Sequence, residues 1–390
     1  MKNQMQLSNE ASAWIEIEAE AILHNLGVIK KHLKQDTKVL AVVKANAYGH
    51  GALEVARLLS EAGIYGFGVT NLTEGIALRK SGIHNPLLLF APLLPEQIPE
   101  AVSNELTITV SSISQLKSLQ EQAESMNATA KVHVKLETGM GRTGLWPHEL
   151  EDFINELKKS PNIQVEGIYS HLSKAGTDKG FCEKQFSHFL EGIINFESQG
   201  INIPIKHIVN SAGLINYPHM HLDMVRSGTL IFGQIPAGIN QNLDVKDPWK
   251  AKAKIIALRK VPANWPVGYG ADFVTKRESL IGALPIGFAD GLNVSAKISP
   301  KGIVDLIKIL VKEVLAYFGR GPQALGVTLD GKFYPFIGRI GMQLSMVDFT
   351  GAHVKEGSIV EFPLRRINAP MHLPRIYLKK QQPYQAAAEE

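Results

Sequence analysis

A (β/α)8 barrel followed by a mainly-β C-terminal domain is the fold class that this sequence predicts, and three observations carry it. The chain has 390 residues, beyond the roughly 250–300 that a single hydrophobic core usually serves. Up to about Pro236, short apolar runs alternate with amphipathic segments, the signature of βα units building a parallel sheet. Past that point the pattern changes to closely spaced strand-like runs and turns. The expected boundaries are an N-terminal segment over 1–18, a barrel over 19–240, a β domain over 241–378 with a helical insertion near 300–320, and a disordered tail over 379–390.

Each element has its own warrant. The strands predicted for the barrel are Val39–Val43, Phe67–Val69, Leu87–Phe90, Leu106–Val110, Val132–Leu136, Ile168–Ser170, Ile205–Val209 and Asp223–Val225, each a short apolar run. Between them, Ala52–Ala62, Leu72–Lys80, Ser112–Glu124 and His148–Lys159 place apolar residues at helical spacing. Eight strands with helical connections suit a closed barrel better than an open sheet. In the second domain the strand candidates are Ala253–Leu258, Ser279–Leu284, Gly326–Leu329, Ile337–Ile340, Met346–Phe349 and Ser358–Phe362. Ile303–Phe318 is the exception. Its apolar residues follow three-four spacing between Gly302 and Gly319, which predicts an amphipathic helix packed on its own domain, with a partner-binding face as the alternative.

Composition narrows the function. A net charge of +4 without blocks of like charge argues against nucleic acid or an anionic membrane as partner. The single cysteine, Cys182, rules out an internal disulfide or a Cys-rich metal site, and no metal is expected. Residues 1–10 are polar and lack the apolar core of a secretion signal, so the expected location is cytoplasmic.

The chemistry begins at Ala41–Gly51, where an apolar run delivers Lys44 and then breaks into a polar, Gly-bounded turn containing Tyr48. A lysine at the end of a buried strand is poorly solvated, which lowers an ammonium's pKa and makes the amine a nucleophile for a carbonyl. Other polar residues follow other strands: Asn71, Glu137, His171, Asn210 and Arg226. Barrel enzymes build their sites at this rim, often with a phosphate site after the last two strands. There the chain reads Asn210-Ser211-Ala212-Gly213 and Arg226-Ser227-Gly228-Thr229, with small residues, hydroxyls and accessible backbone N–H groups suited to phosphate.

From Trp14 to about Tyr377 the chain resembles the alanine racemases, fold-type III pyridoxal-phosphate enzymes. The resemblance rests on Val43–Gly51, Glu137-Thr138-Gly139-Met140-Gly141-Arg142-Thr143-Gly144, Asn210–Gly213, Arg226-Ser227-Gly228, Tyr269-Gly270-Ala271, Pro285–Gly291 and Gly338-Arg339-Ile340-Gly341-Met342, in the family's order. It implies a pyridoxal 5'-phosphate enzyme that interconverts L- and D-alanine by a two-base mechanism. It also implies a head-to-tail homodimer with shared sites, in which Trp14–Glu18 joins the β domain. Lys44 would carry the cofactor and act as one base, and Tyr269 of the other subunit would be the second. Racemisation needs an acid/base on each face of the reacting carbon. A tyrosine needs nearby positive charge to serve as a base at neutral pH, with His171 and Arg226 as the sources. Tyr48, Ser211, Gly228 and Thr229 would contact the phosphate, Asn210 would belong to the same cofactor site, and His171 would lie against the ring. Arg142, helped by the Met342 backbone N–H, would take the substrate carboxylate, and Lys135 resembles the family's carbamylated lysine.

Arg226 bears on reaction type. A guanidinium at the ring nitrogen keeps its proton and leaves the ring a weak electron sink, favouring racemisation over transamination. The alternatives are a racemase of broader specificity, a fold-type III decarboxylase, a non-catalytic cofactor-binding protein and a Schiff-base barrel lyase whose loops hold a substrate phosphate. Three departures bear on substrate range. Gln343 replaces an aspartate, Phe288 replaces a tyrosine, and the family's late phosphate-contacting tyrosine has no counterpart in Glu361–Pro374.

Overall fold

The computed structural model describes residues 10–293, 302–317, 325–379 and 382–383. The chain divides into two compact units. One holds Glu18–Pro248, and the other combines the described residues up to Ile17 with those from Trp249 onward.

The first unit is a nearly closed barrel of eight parallel strands, namely β2 (Lys38–Val42), β3 (Gly66–Val69), β4 (Leu87–Leu89), β5 (Thr107–Val110), β6 (Ala130–Lys135), β7 (Ile163–Tyr169), β8 (Ile205–His207) and β9 (Met224–Ser227). They follow chain order, and β2 closes onto β9 with Lys38 opposite Met224 and Ala41 opposite Ser227. All eight predicted strands are present. The largest difference is β7, which starts five residues before the expected Ile168. Its first residues, Ile163 to Glu166, are only partly buried and alternate in polarity, so they give no apolar run.

Helices α1 (Ala19–Lys31), α2 (Ala52–Glu61), α3 (Leu72–Lys80), α4 (Ile98–Ser103), α5 (Ile113–Ser125), α6 (Leu150–Leu157), α7 (Lys179–Ser198) and α8 (Ser211–Asn216) connect the strands. Their apolar stripes face the sheet. In α6, for example, Leu150, Phe153, Ile154 and Leu157 are buried, three or four residues apart. Side-chain caps fix several starts: Asn71 accepts from the Glu74 N–H, Ser112 from Gln115, Asp178 from Phe181 and Asn210 from Gly213. Inside the barrel, an apolar layer of Leu40, Leu88, Ile205 and Met224 gives way to the buried polar residues His133, Lys135, Tyr169, His207 and Arg226.

The second unit centres on a ten-stranded sheet. Its first strand, β1 (Ala13–Glu18), runs antiparallel to β10 (Trp249–Lys254), with Ala13 opposite Ala253 and Ile17 opposite Trp249. Then come β11 (Ala257–Val261), the hairpin of β12 (Pro266–Val267) and β13 (Phe273–Val274), β14 (Ser279–Leu284), β15 (Gly326–Leu329), β16 (Lys332–Ile337), β17 (Ser345–Asp348), β18 (Ile359–Glu361), β19 (Arg375–Lys379) and β20 (Gln382–Pro383). Two predicted strands need correction. Ala253–Leu258 is divided between β10 and β11, because the Ile255 N–H bonds Ser358 while that of Ile256 bonds Ala283, so the chain changes neighbour there. Ile337–Ile340 is mostly turn, since the Gly341 N–H bonds back to Leu344 and the strand ends at Ile337. The expected disordered tail also begins too early. Lys379 belongs to β19 and pairs with Gln382 of β20, while residues 380–381 and 384–390 lie outside the described residues.

The predicted inserted helix exists as α9 (Ile303–Tyr317), but its packing differs from expectation. Nine of its apolar side chains, from Ile303 to Leu315, are 39–77% exposed. The spacing defined an apolar face without saying what covers it. Phe318 and Gly319 lie outside the described residues.

Candidate active site

The rim of the barrel holds a cavity of about 460 Å³, and the residues predicted from the strand ends converge on it. Lys44 and Tyr48 come from the first strand end, Lys135 and Arg142 from β6 and the loop after it, His171 from beyond β7, and Asn210, Ser211, Arg226, Gly228 and Thr229 from the last two strand ends.

Lys44 is half-buried at the cavity rather than withdrawn from water, because the chain leaves the strand at once in an unusual conformation. Ala45, Asn46, Ala47 and Tyr48 all have φ between 51° and 55°, a left-handed turn made without glycine. Each such residue costs about 1–2 kcal/mol, so the turn needs support. The Ala45 N–H donates to Glu74 Oε1 at 2.6 Å, Asn46 Oδ1 accepts from the Ala52 N–H at 2.8 Å, and the Ala47 N–H donates to the Val43 carbonyl at 2.8 Å. The same Glu74 carboxylate accepts from the Thr70 N–H at 3.0 Å, tying the turn to the next loop. The turn brings the Tyr48 hydroxyl against Gly228, where an added Cβ would lie only 2.6 Å from it. Ser211 Oγ accepts from the Gly228 N–H at 3.1 Å. This corner therefore combines a phenol, serine hydroxyls and closely approachable backbone, a set suited to phosphate.

Arg226 is 4% exposed. Its guanidinium donates to His207 Nδ1 (2.7 Å), His171 Nδ1 (3.2 Å) and the carbonyls of Ser170 (2.8 Å) and Ile208 (2.9 Å). No carboxylate pairs with it among the described residues. Burial pulls its pKa down to about 10, so it remains charged at neutral pH. Guanidinium only donates, so both Nδ1 atoms must be acceptors and both histidines carry their proton on Nε2. His207 Nε2 then donates to His133 Nδ1 at 2.9 Å.

Burial, reinforced by Arg226, lowers His133 and His171 to about 3 and His207 well below its ordinary value. His171 is therefore neutral at physiological pH. This corrects the expectation that it would add positive charge for a tyrosine base.

Lys135 is 3% exposed and donates to Thr143 Oγ1 at 2.6 Å. Burial, then the Arg142 and Arg226 charges, lower its pKa to about 8, giving an appreciable neutral fraction near pH 7. Arg142 is exposed at the cavity wall.

Sequence reasoning missed Tyr169, His133 and His207. The Tyr169 ring stacks on His207 at 4.9 Å, with the Arg226 guanidinium 5.3 Å and Lys135 Nζ 5.7 Å from its centre, and its hydroxyl meets Thr109 Oγ1 at 2.8 Å. One signal was available: His133 and Lys135 alternate with Val132 and Val134, so they share one face of β6.

Tyr269 and Met342 belong to the second unit. Tyr269 lies in a short 3-10 turn and is 74% exposed, and Met342 is 62% exposed. The strings that carry them meet there. The Phe288 and Ala289 N–H groups bond Gly341 and Met342, both at 3.0 Å, and Arg339 pairs with Asp272.

Residues 17–236 match the profile described as "Alanine racemase, N-terminal domain", and residues 249–369 match "Alanine racemase, C-terminal domain". Alanine racemase 1 of Caldanaerobacter subterraneus subsp. tengcongensis is 36% identical over 339 residues, 86% of this chain and 81% of that protein. The alanine racemase of Methanococcus maripaludis is 35% identical over 352 residues, 89% and 87% of the two chains. Among solved structures, alanine racemase from Clostridium difficile 630 superimposes with a TM-score of 0.85 at 28% identity, covering 96% of this chain and 98% of its own.

Proposed function

This chain belongs to the alanine racemase family, and on that basis we propose that it interconverts L- and D-alanine with pyridoxal phosphate held on Lys44. The observation that carries this reading is the pairing of a strand-end lysine with a buried, carboxylate-free arginine in one cavity that ends in a phosphate-type corner. The Gly228 cradle beneath the Tyr48 hydroxyl fits the phosphate, and the charged Arg226 fits a ring nitrogen that receives no proton. When bound, the cofactor supplies an electrophilic carbonyl and an electron sink for the bond to the α-hydrogen.

The residues do the rest. Tyr48, Asn210, Ser211, Gly228 and Thr229 hold the phosphate end. Arg226 faces the ring nitrogen as a donor that keeps its proton, which limits electron withdrawal and favours racemisation over transamination. His171 offers a neutral imidazole at the ring. Arg142, with the Met342 N–H, orients the substrate carboxylate through charge-assisted bonds. Lys44 exchanges the α-proton on one face, and Tyr269 of the partner subunit exchanges it on the other, in a head-to-tail cytoplasmic homodimer. The exposure of Tyr269 in its own domain is compatible with service to a neighbour. The neutral Lys135 amine can add carbon dioxide and release a proton, giving a carbamate beside Arg142. Among the described residues, no helix is long and apolar enough to cross a membrane.

The test is chemical. Borohydride should fix the cofactor on Lys44, and Lys44→Ala should lose both the label and the loss of optical rotation from L-alanine. A label on another lysine, or release of carbon dioxide in place of racemisation, would overturn the assignment.

A further inference from the structure

We infer that Glu137 is a positioning residue for Arg142, its carboxylate serving as the template around which the arginine-bearing loop folds. This rests on the reading of Arg142 as the contact for the substrate carboxylate. Glu137 is 5% exposed and its side chain turns back into its own loop. Oε1 accepts the N–H groups of Gly139 (2.5 Å) and Met140 (2.6 Å), and Oε2 accepts those of Gly141 (2.8 Å) and Arg142 (3.3 Å). Four consecutive amides thus converge on one side chain. Burial pushes this carboxyl up, but the four donors more than offset it and hold its pKa below the ordinary value.

The loop is built for this arrangement. Its base is closed by the Glu137 N–H to Leu145 (2.9 Å) and the Leu145 N–H to Lys135 (2.8 Å). Gly144 has φ +136°, and a Cβ there would lie 2.6 Å from the Glu137 nitrogen, so the base admits no side chain. The flank is pinned by Thr138 Oγ1 to Ser170 Oγ (2.7 Å) and by Ser173 Oγ donating to the Gly139 carbonyl (3.0 Å). The Arg142 guanidinium, by contrast, makes no hydrogen bond among the described residues. Its position depends on its backbone, and its N–H is the last of the four that Glu137 holds. Only an ionised carboxylate can accept from all four. A glutamine of the same shape would turn an NH2 group toward two donors.

The experiment uses holoenzyme carrying Glu137→Gln, Glu137→Asp or Arg142→Ala. Each is measured for alanine KM and kcat, cofactor Kd, thermal midpoint and the Kd of propionate, a carboxylate probe without an amine. For Glu137→Gln we expect alanine KM and propionate Kd to rise about tenfold, with cofactor Kd within about threefold of the parent. Glu137→Asp should fall between. If Arg142→Ala leaves propionate binding intact, the reading of Arg142 is wrong. If Arg142→Ala weakens propionate and the folded Glu137 variants do not, the positioning role is wrong. If both Glu137 variants lose the cofactor or the fold, Glu137 is a folding residue and the inference is overturned.

Discussion

Acidification should destabilise the barrel through its buried histidines, and His133→Asn should remove a measurable part of that effect. His133 sits near pKa 3 in the folded chain, against about 6.5 when unfolded. Between those values the unfolded chain binds a proton that the folded chain refuses, so stability falls as pH drops from about 6.5 toward 3. Above that window His133 is neutral in both states and costs nothing. At 1.36 kcal/mol per unit, the loss from this residue is about 2 kcal/mol at about pH 5. Asparagine does not titrate, and its Oδ1 can take over the role of His133 Nδ1 as acceptor for His207 Nε2–H. Urea unfolding followed by far-ultraviolet circular dichroism, at about pH 7.5 and about pH 5, gives the difference directly. The variant should lose about 2 kcal/mol less than the parent across that interval, whatever its stability at the higher pH. An equal loss in both proteins would refute the claim that His133 stays neutral when folded.

Three further outcomes follow. Mixing Lys44→Ala with Tyr269→Ala chains, each inactive alone, should restore part of the racemase activity because one site of each mixed dimer has both bases, and no recovery despite shown subunit exchange would count against a shared site. Trp14→Ala removes a side chain that is almost fully buried in the β unit; it should cost about 3–5 kcal/mol in chemical unfolding, and a loss below 1 kcal/mol would mean that β1 contributes little. Replacing residues 302–317 by a Gly/Ser linker should change stability by less than about 1 kcal/mol and reduce apolar-dye binding, since the side chains removed are exposed. A large fall in the thermal midpoint would show that their apolar face is covered in the working assembly.

The barrel, the mainly-β domain and most of the cavity's residues were legible in the chain as written. Strand-end residues such as Lys44, His171 and Arg226 stand beside apolar runs, and the wall of a parallel barrel turns that adjacency into a common rim. The phosphate corner was legible for the same reason, because Asn210–Gly213 and Arg226–Thr229 are contiguous strings on the last two strands. What contiguity encodes, a sequence alone can determine.

The rest was decided by tertiary structure. Tyr169 and His207 stand opposite one another on β7 and β8, His133 reaches His207 across Gly167, which it faces on β7, and each of the three is separated from the next by more than thirty residues. The neutrality of the two histidines follows from burial beside Arg226, which no local pattern records. The turn after Lys44 is left-handed without glycine because Glu74, from the helix after the next strand, holds the Ala45 N–H, while Asn46 within the turn accepts from the Ala52 N–H. The spacing in α9 fixed which residues share a face, while their exposure depended on what the fold places beside them. Periodicity and motif order are properties of the chain. Charge state, backbone strain and coverage arise from groups far apart in sequence that the fold brings within a few ångströms of one another.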